Sequence, residues 1–176
     1  MPIASILKAY AKNGKNLFYF GYEEEYIPND SIRNTIGAIE DILMIGYPFG
    51  LRDTKNDLPI IRRGLTATPA YLNYNSLQEF LIDMSVYPGS SGSPVIIYNP
   101  MTFTTRNGGY YMRGRIILLG INYATYARDF EGKIIPKSSY NIKDSLMVKT
   151  PIPYNIGIVI KSERLLEFKP LLETIK

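Results

Sequence analysis

Six apolar, β-rich segments separated by turn signals constrain the fold more than any other feature of this 176-residue chain. The connections between them contain turn residues, as in Pro48-Phe49-Gly50 and Asn107-Gly108-Gly109. Many short strands with regular turns are typical of a sandwich or a barrel, so the predicted fold class is all-β. The predicted strands are Asp41–Tyr47, Ile60–Thr68, Phe80–Val86, Val95–Tyr98, Arg113–Tyr123 and Asn155–Ile160.

The segments outside these strands are predicted to be short helices and connections. Residues 2–12 form an amphipathic helix that ends at Asn13-Gly14. A closing helix begins at Ser162, a favourable N-cap, and Pro170 kinks or shortens it. The polar stretch from Ala127 to Pro153 is a long connection. The first helix carries its apolar residues on one face: Ile3, Ile6, Leu7 and Tyr10.

Composition excludes several kinds of site. The chain has no cysteine and no histidine, so disulfides, thiolate sites and zinc catalysis are excluded, and no metal or cofactor is predicted. The net charge is +4, but the basic residues are scattered and Arg62-Arg63 is their only adjacent pair. We therefore interpret them as a solvated surface and expect no nucleic-acid partner.

No targeting or membrane segment is predicted. A membrane-spanning helix needs about 18 or more consecutive apolar residues, and no stretch approaches that length. The apolar start of the chain lacks the basic segment of a signal peptide, and Lys8 and Lys12 interrupt it. The expectation is a cytoplasmic protein, as the sequence is written, that does not associate with membranes.

The run Pro88-Gly89-Ser90-Ser91-Gly92-Ser93-Pro94 is the candidate for chemistry. A nucleophilic serine stands on a tight turn whose backbone N–H groups face the developing oxyanion, and a preceding glycine permits that backbone conformation. A lipase-type elbow is disfavoured because the second glycine is misplaced and a strand follows. A phosphate-binding loop is disfavoured because no lysine follows. A simple glycine–serine turn remains the alternative.

The flanks of this run resemble the trypsin-like serine peptidases, in particular the bacterial branch related to HtrA-type proteases. Five segments carry the resemblance, in the family's order, and cover most of the chain. They are Ile42–Gly50, with the pattern IGYPFG; Ile61–Ala67; Phe80–Asp83 with Pro88–Val95; Leu119–Tyr123; and Asn155–Ile160.

The resemblance implies a peptide-bond hydrolase that acts through an acyl-enzyme. Ser91 matches the nucleophile, and the backbone N–H groups of Gly89 and Ser91 match the oxyanion hole. Asn122, Tyr123 and Ala124 match the edge of the substrate cleft. Many members have an aspartate at the position of Ser90, paired with a freed N-terminus, and Ser90 cannot make that ion pair.

The family fold implied by the resemblance has two six-stranded barrels, the first supplying His and Asp and the second supplying Ser. Residues 41–161 match the second barrel, and 162–176 its C-terminal helix. Residues 1–40 resemble the remnant of the first barrel with the inter-barrel linker, and Met1-Pro2-Ile3 resembles the end of the strand that follows the triad Asp. We therefore expect a truncated chain that is inactive alone.

The expected partners are a polypeptide substrate and the missing N-terminal barrel, supplied in cis or by a separate chain. The face toward that barrel should be apolar and exposed. A lysine base is disfavoured because no lysine lies in the nucleophile block or its neighbouring strands. Asp83 is expected to be a structural, hydrogen-bonded carboxylate. The alternative function is a non-catalytic peptide- or protein-binding domain derived from a protease.

Overall fold

The fold is a closed β-barrel flanked by short helices. The computed structural model describes residues 3–15, 19–133 and 147–173. The strands are β1 Asp41–Gly46, β2 Ile60–Thr66, β3 Glu79–Asp83, β4 Pro94–Asn99, β5 Phe103–Thr104, β6 Tyr110–Tyr111, β7 Arg115–Lys133 and β8 Met147–Lys161. The α-helices are α1 Ala4–Lys12, α2 Asp30–Arg33 and α3 Lys169–Glu173, and the 3-10 helices are Glu24–Tyr26, Pro48–Gly50 and Ser162–Phe168.

The barrel has the strand order β1-β2-β3-β8-β7-β4, and every pairing in it is antiparallel. It closes where β4 returns to β1, with Leu43 opposite Ile96 and Met44 opposite Val95. The β5–β6 hairpin forms a separate two-stranded sheet. The predicted all-β class, with a six-stranded antiparallel barrel, an N-terminal helix and a C-terminal helix, is confirmed.

The core fills the barrel with side chains that alternate along its strands. In β1 and β3 every second residue is buried, as expected for strands with one face toward the core. Ile36, from the segment before β1, also belongs to this core. Burial of these apolar side chains is the main favourable contribution to the free energy of folding. The buried cluster comprises Ile36, Ile42, Met44, Ala70, Phe80, Ile82, Met84, Val86, Val95, Ile97, Ile117, Leu119 and Val159.

The N-terminal helix forms as α1, but it buries none of its residues. Gly14 follows its C-cap with φ +66°, the left-handed conformation that ends many helices at a glycine. Ile3 has helical dihedral angles, so it introduces α1 instead of ending a strand, and Met1-Pro2 lies outside the described residues.

The C-terminal helix differs from its prediction in detail. Ser162 is buried, and its hydroxyl donates to the carbonyl oxygen of Leu118 at 2.6 Å, so it anchors the chain to β7 and does not cap a helix. The segment from Ser162 to Phe168 is a 3-10 helix, and α3 follows it. Pro170 lies in the first turn of α3, where the missing N–H costs little.

The predicted connection from Ala127 to Pro153 was wrong for the parts that the structure describes. Strands β7 and β8 continue past the barrel as a two-stranded ribbon that pairs Ala127 with Pro153 and Lys133 with Met147. Nearly every side chain described along the ribbon is exposed, so the ribbon has no buried face. A strand without a buried face shows no apolar–polar alternation, and the sequence pattern therefore missed it.

A buried ion pair joins the segment before β1 to the barrel. The side chains of Arg115 and Glu40 are each 9% exposed, and Arg115 Nη2 lies 2.8 Å from Glu40 Oε2. Arg115 also donates to Asn99 Oδ1 and stacks over the ring of Phe103. The other oxygen of Glu40 accepts from the backbone N–H of Gly37 at 2.6 Å. Both charges are therefore satisfied away from water, as buried charges must be.

Replacing Arg115 with Met should destabilise the fold by about 3 kcal/mol, because the carboxylate of Glu40 would stay buried without its partner. Urea unfolding followed by circular dichroism measures the change. The matched control is Arg52→Met, which breaks the exposed Arg52–Asp57 pair and should cost less than about 1 kcal/mol. Equal losses in the two variants would contradict a structural role for the buried pair.

Candidate active-site loop

Barrel closure places the loop between β3 and β4 against the turn that follows β1. The backbone N–H of Phe49 donates to the carbonyl oxygen of Pro88 at 2.7 Å. Pro94 is the first residue of β4, one residue before the predicted start of that strand, and its missing N–H is tolerated at that position. We refer to residues 87–93 as the nucleophile loop, after the role that the sequence predicts for Ser91.

The two glycines of the loop both have φ +87°, a conformation that other residues adopt only with strain. Their surroundings differ. A Cβ atom on Gly89 would lie 2.6 Å from the carbonyl oxygen of Tyr47 and 3.0 Å from the N atom of Phe49. No heavy atom lies within 4 Å of the corresponding position on Gly92. Gly89 is therefore required by conformation and by space, and Gly92 by conformation alone.

The backbone donors of the loop fall into two groups. Ser90 N–H donates to Tyr87 O, Gly92 N–H to Asn122 O and Ser93 N–H to Ser90 O, at 2.8–3.2 Å. Within the described residues, the N–H groups of Gly89 and Ser91 donate to no protein acceptor. These are the two groups that the resemblance to trypsin-like peptidases predicts for an oxyanion hole. Free backbone N–H groups beside a serine hydroxyl are what an acyl-transfer oxyanion requires.

The side chain of Ser91 is exposed, and its hydroxyl donates to the carbonyl oxygen of Tyr123 at 3.0 Å. That carbonyl lies at a β-bulge, since Asn122 pairs with Val159 and Ala124 with the adjacent Ile158. A bulge leaves one residue outside the regular ladder, and bulges are frequent beside functional sites. The loop and the bulged part of β7 thus form one surface.

Arg62 supports the loop from below, a role that sequence reasoning missed. Arg62 Nη2 donates to the hydroxyl of the fully buried Ser90 at 2.8 Å, and Nη1 donates to the carbonyl oxygen of Ser85. Burial lowers the pKa of the Arg62 guanidinium, and the nearby Tyr87 opposes that shift. Strand alternation in the sequence could have indicated that Arg62 faces inward, because Arg62 is half-buried and Arg63 is exposed on β2.

Asn122 is buried beneath the loop. It is fully buried, and its side-chain amide donates to the carbonyl oxygen of Ser90 at 3.2 Å. Its backbone donates to Ser93 O and accepts from Gly92 N–H. Its Oδ1 atom has no hydrogen-bond partner among the described residues. The side chain of Asn122 therefore supports the loop, and a place for Asn122 at the edge of a substrate cleft stays a prediction.

Tyr123 and Ala124 lie beside the loop, where a role at a substrate edge stays a prediction. The Tyr123 phenol donates to Glu79 Oε1 at 2.9 Å. Desolvation and that hydrogen bond raise the pKa of Tyr123. Ala124 is half-buried and pairs with Ile158 of β8. The backbone of Tyr123 and its side chain thus contact different partners, Ser91 and Glu79.

No described side chain is placed to act as the base for Ser91. The expectation that neighbouring strands lack a lysine was wrong, because β8 extends to Lys161, which is buried and whose pKa is lowered mainly by desolvation. Lys161, however, lines a cavity to which the nucleophile loop contributes no residue. The carboxylate of Asp83, expected to be hydrogen-bonded, is exposed and makes no such bond with the described residues.

An exposed apolar patch flanks the loop. Phe49 is 63% exposed, and its ring lies 5.2 Å from that of Tyr87. Tyr47 and Leu51 extend the patch along the same turn. The patch includes residues of both segments that the Phe49–Pro88 hydrogen bond joins, the turn after β1 and the nucleophile loop.

No protein-family model, curated protein or solved structure matches this chain. Among the residues that the structure describes, no helix has the length and apolarity needed to span a membrane.

Replacing Gly89 with Ala should destabilise the protein more than replacing Gly92 with Ala. The left-handed conformation costs each variant roughly 1–2 kcal/mol. The Gly89 variant should lose about 1–3 kcal/mol more, because its methyl group forces the Tyr47–Gly50 turn to move. Urea unfolding gives both values, and equal losses would contradict the close packing of the loop on that turn.

Replacing Arg62 with Met should cost about 1–3 kcal/mol, because Ser90 and the Ser85 carbonyl lose a buried donor. It should also increase the hydrogen-exchange rate of the Ser90 amide, which is bonded to Tyr87 O. Arg63→Met is the control, since Arg63 makes only an exposed pair with Asp41. Unchanged exchange at Ser90 would show that Arg62 does not hold the loop.

Proposed function

We propose that residues 87–93 form the nucleophile loop of a serine endopeptidase. The hydroxyl oxygen of Ser91 attacks the carbonyl carbon of a peptide bond, and the N–H groups of Gly89 and Ser91 stabilise the oxyanion. Collapse of the tetrahedral intermediate releases the amine and leaves an ester on Ser91, which water hydrolyses to the acid. The observation that carries this proposal is that these two N–H groups have no acceptor among the described residues.

The surroundings of the loop support the proposal in two ways. The closed six-stranded barrel is the architecture that the resemblance to trypsin-like peptidases implies. The loop is also supported from below, because Arg62 and Asn122 bond to the side chain and backbone of Ser90. A preorganised loop is what electrostatic stabilisation of a transition state needs, since the donors then do not reorganise during the reaction.

The catalytic base that would accept the proton of Ser91 is not among the described residues around the loop. A serine hydroxyl is a weak nucleophile near neutral pH unless a base accepts its proton. The hydroxyl of Ser91 donates to a backbone carbonyl, which cannot take that proton, and the sequence contains no histidine. In this proposal the base comes from a further barrel, in cis or on a separate chain. That barrel covers the apolar patch of Tyr47, Phe49, Leu51 and Tyr87.

A second candidate is a peptide-binding domain without catalysis. The observation that favours it is that the Ser91 hydroxyl donates to the Tyr123 carbonyl oxygen. Without a base, its proton is engaged in this hydrogen bond. In that case the bulged edge of β7 binds an extended peptide through its backbone, as in other cases of strand addition. The two candidates differ in whether Ser91 can be made to react.

A fluorophosphonate probe distinguishes them, with imidazole as a diffusible substitute for the missing base. In plain buffer we expect little labelling of Ser91. Labelling should increase in proportion to the concentration of neutral imidazole, and Ser91→Ala should abolish it. Ser31→Ala, which removes an exposed serine of α2, should label like the unmodified chain. Intact mass and peptide mapping measure the labelled fraction.

Two outcomes would count against this proposal. Fast labelling of Ser91 without added base would show that the chain already contains a base. A Ser91 that stays unlabelled at high imidazole, in a protein whose folding is verified by circular dichroism, would overturn the nucleophile assignment and favour the peptide-binding domain.

A further inference from the structure

A polar cavity of about 260 Å³ lies where β8 ends. The loop before β3, helix α2 and the 3-10 helix that follows β8 all contribute to it. No residue of the nucleophile loop does, so it is separate from the proposed active site. Its lining residues are Arg33, Tyr71, Asn73, Gln78, Lys161 and Glu163.

Lys161 is the residue that makes this cavity unusual. It continues the inward-facing series Gly157 and Val159 along β8, and only 7% of its surface is exposed. Its position is fixed by its backbone N–H, which donates to Gln78 O, and by the anchored Ser162 beside it. Within the described residues its ammonium group has no hydrogen bond and no carboxylate within 4 Å.

The nearest carboxylate is already engaged. Glu163 lies 3.0 Å from Arg33 Nη2, and Asp30 lies 2.7 Å from Arg33 Nη1. Glu163 and Asp30 together balance one of the two nearby cations with one charge to spare, and Arg33 takes both contacts, so neither carboxylate contacts Lys161. Most of the Lys161 side chain is buried, and its ammonium group lies at the wall of the open cavity without a protein partner among the described residues. An anion in the cavity would supply that partner.

The remaining lining groups suit an oxyanion. The side-chain amides of Asn73 and Gln78 can donate to its oxygens, and the phenol of Tyr71 adds a further donor. The volume corresponds to roughly nine water molecules at about 30 Å³ each, which is enough room for a small molecule. A neutral or cationic molecule would leave Lys161 unpaired.

We propose that this cavity binds a small oxyanion, a carboxylate or phosphate group of a compound with few heavy atoms, with Lys161 as its charge partner. The site has the features of ligand pockets in general: concave, preformed and lined by a few convergent polar groups. Binding would also stabilise the fold, because a ligand that binds only the native state adds to its stability.

Isothermal titration calorimetry on the full chain tests the proposal with two probes, inorganic phosphate and succinate, at constant ionic strength set with sodium chloride. We expect one-to-one binding of at least one probe, accompanied by a rise in Tm. The probe that binds more tightly distinguishes a phosphate from a carboxylate ligand. Lys161→Met, which keeps the aliphatic stem and removes the charge, should weaken binding at least about tenfold.

Two further variants keep the result interpretable. Lys55→Met removes an exposed lysine outside the cavity and should bind the probe like the unmodified chain. Gln78→Ala changes an exposed lining residue and should weaken binding severalfold, even if Lys161→Met fails to fold. The proposal is overturned if neither probe binds beyond the chloride control, or if Lys161→Met or Gln78→Ala binds as tightly as the unmodified chain.

Discussion

Closure of the barrel by the pairing of β1 with β4 is the constraint on which the rest of the structure depends. Two residue pairs define that contact, and it brings the turn after β1 against the loop before β4. Gly46 ends β1 at this point, and any larger residue there would collide with Ser93. Gly89 then fits against the Tyr47–Gly50 turn only because it lacks a side chain. The two glycines thus allow the loop before β4 to pack directly against the end of β1 and the turn that follows it.

Beneath this contact, polar groups replace the apolar packing found in the rest of the barrel. Ser90 and Asn122 are fully buried, and Arg62 of β2 donates a hydrogen bond to the Ser90 hydroxyl. Such groups are costly, because a buried polar atom without a hydrogen-bond partner loses its solvation by water and gains nothing in its place. Arg62 Nε and Asn122 Oδ1 are two such atoms among the described residues. The unpaired atoms beneath the loop therefore lower the free energy of unfolding. The same residues hold Ser90 in place by hydrogen bonds.

The sequence predicted those parts of the fold that depend on alternating burial and on turn residues. Burial alternates along β1, β2 and β3 because one face of each strand meets the core. Gly89 and Gly92 have the backbone conformation that only glycine adopts readily. It did not predict the ribbon of β7 and β8, which has no core face. It also missed the role of Arg62, whose partner Ser90 is 28 residues away along the chain. Strand alternation can place Arg62 on the inward side of β2, but a long-range contact leaves no local pattern that identifies the partner.

The bulge at Tyr123 has a consequence for how the nucleophile loop and β7 affect each other. Because one extra residue interrupts the ladder, a backbone carbonyl that would otherwise pair with β8 faces Ser91. An extended peptide lying along β7 would present its own N–H to the same oxygen. The peptide and the serine hydroxyl would then compete for one acceptor, and the bound peptide would release the hydroxyl. Because of the one extra residue in the bulge, the hydrogen bonding of the Ser91 hydroxyl would then depend on whether a peptide is bound along β7.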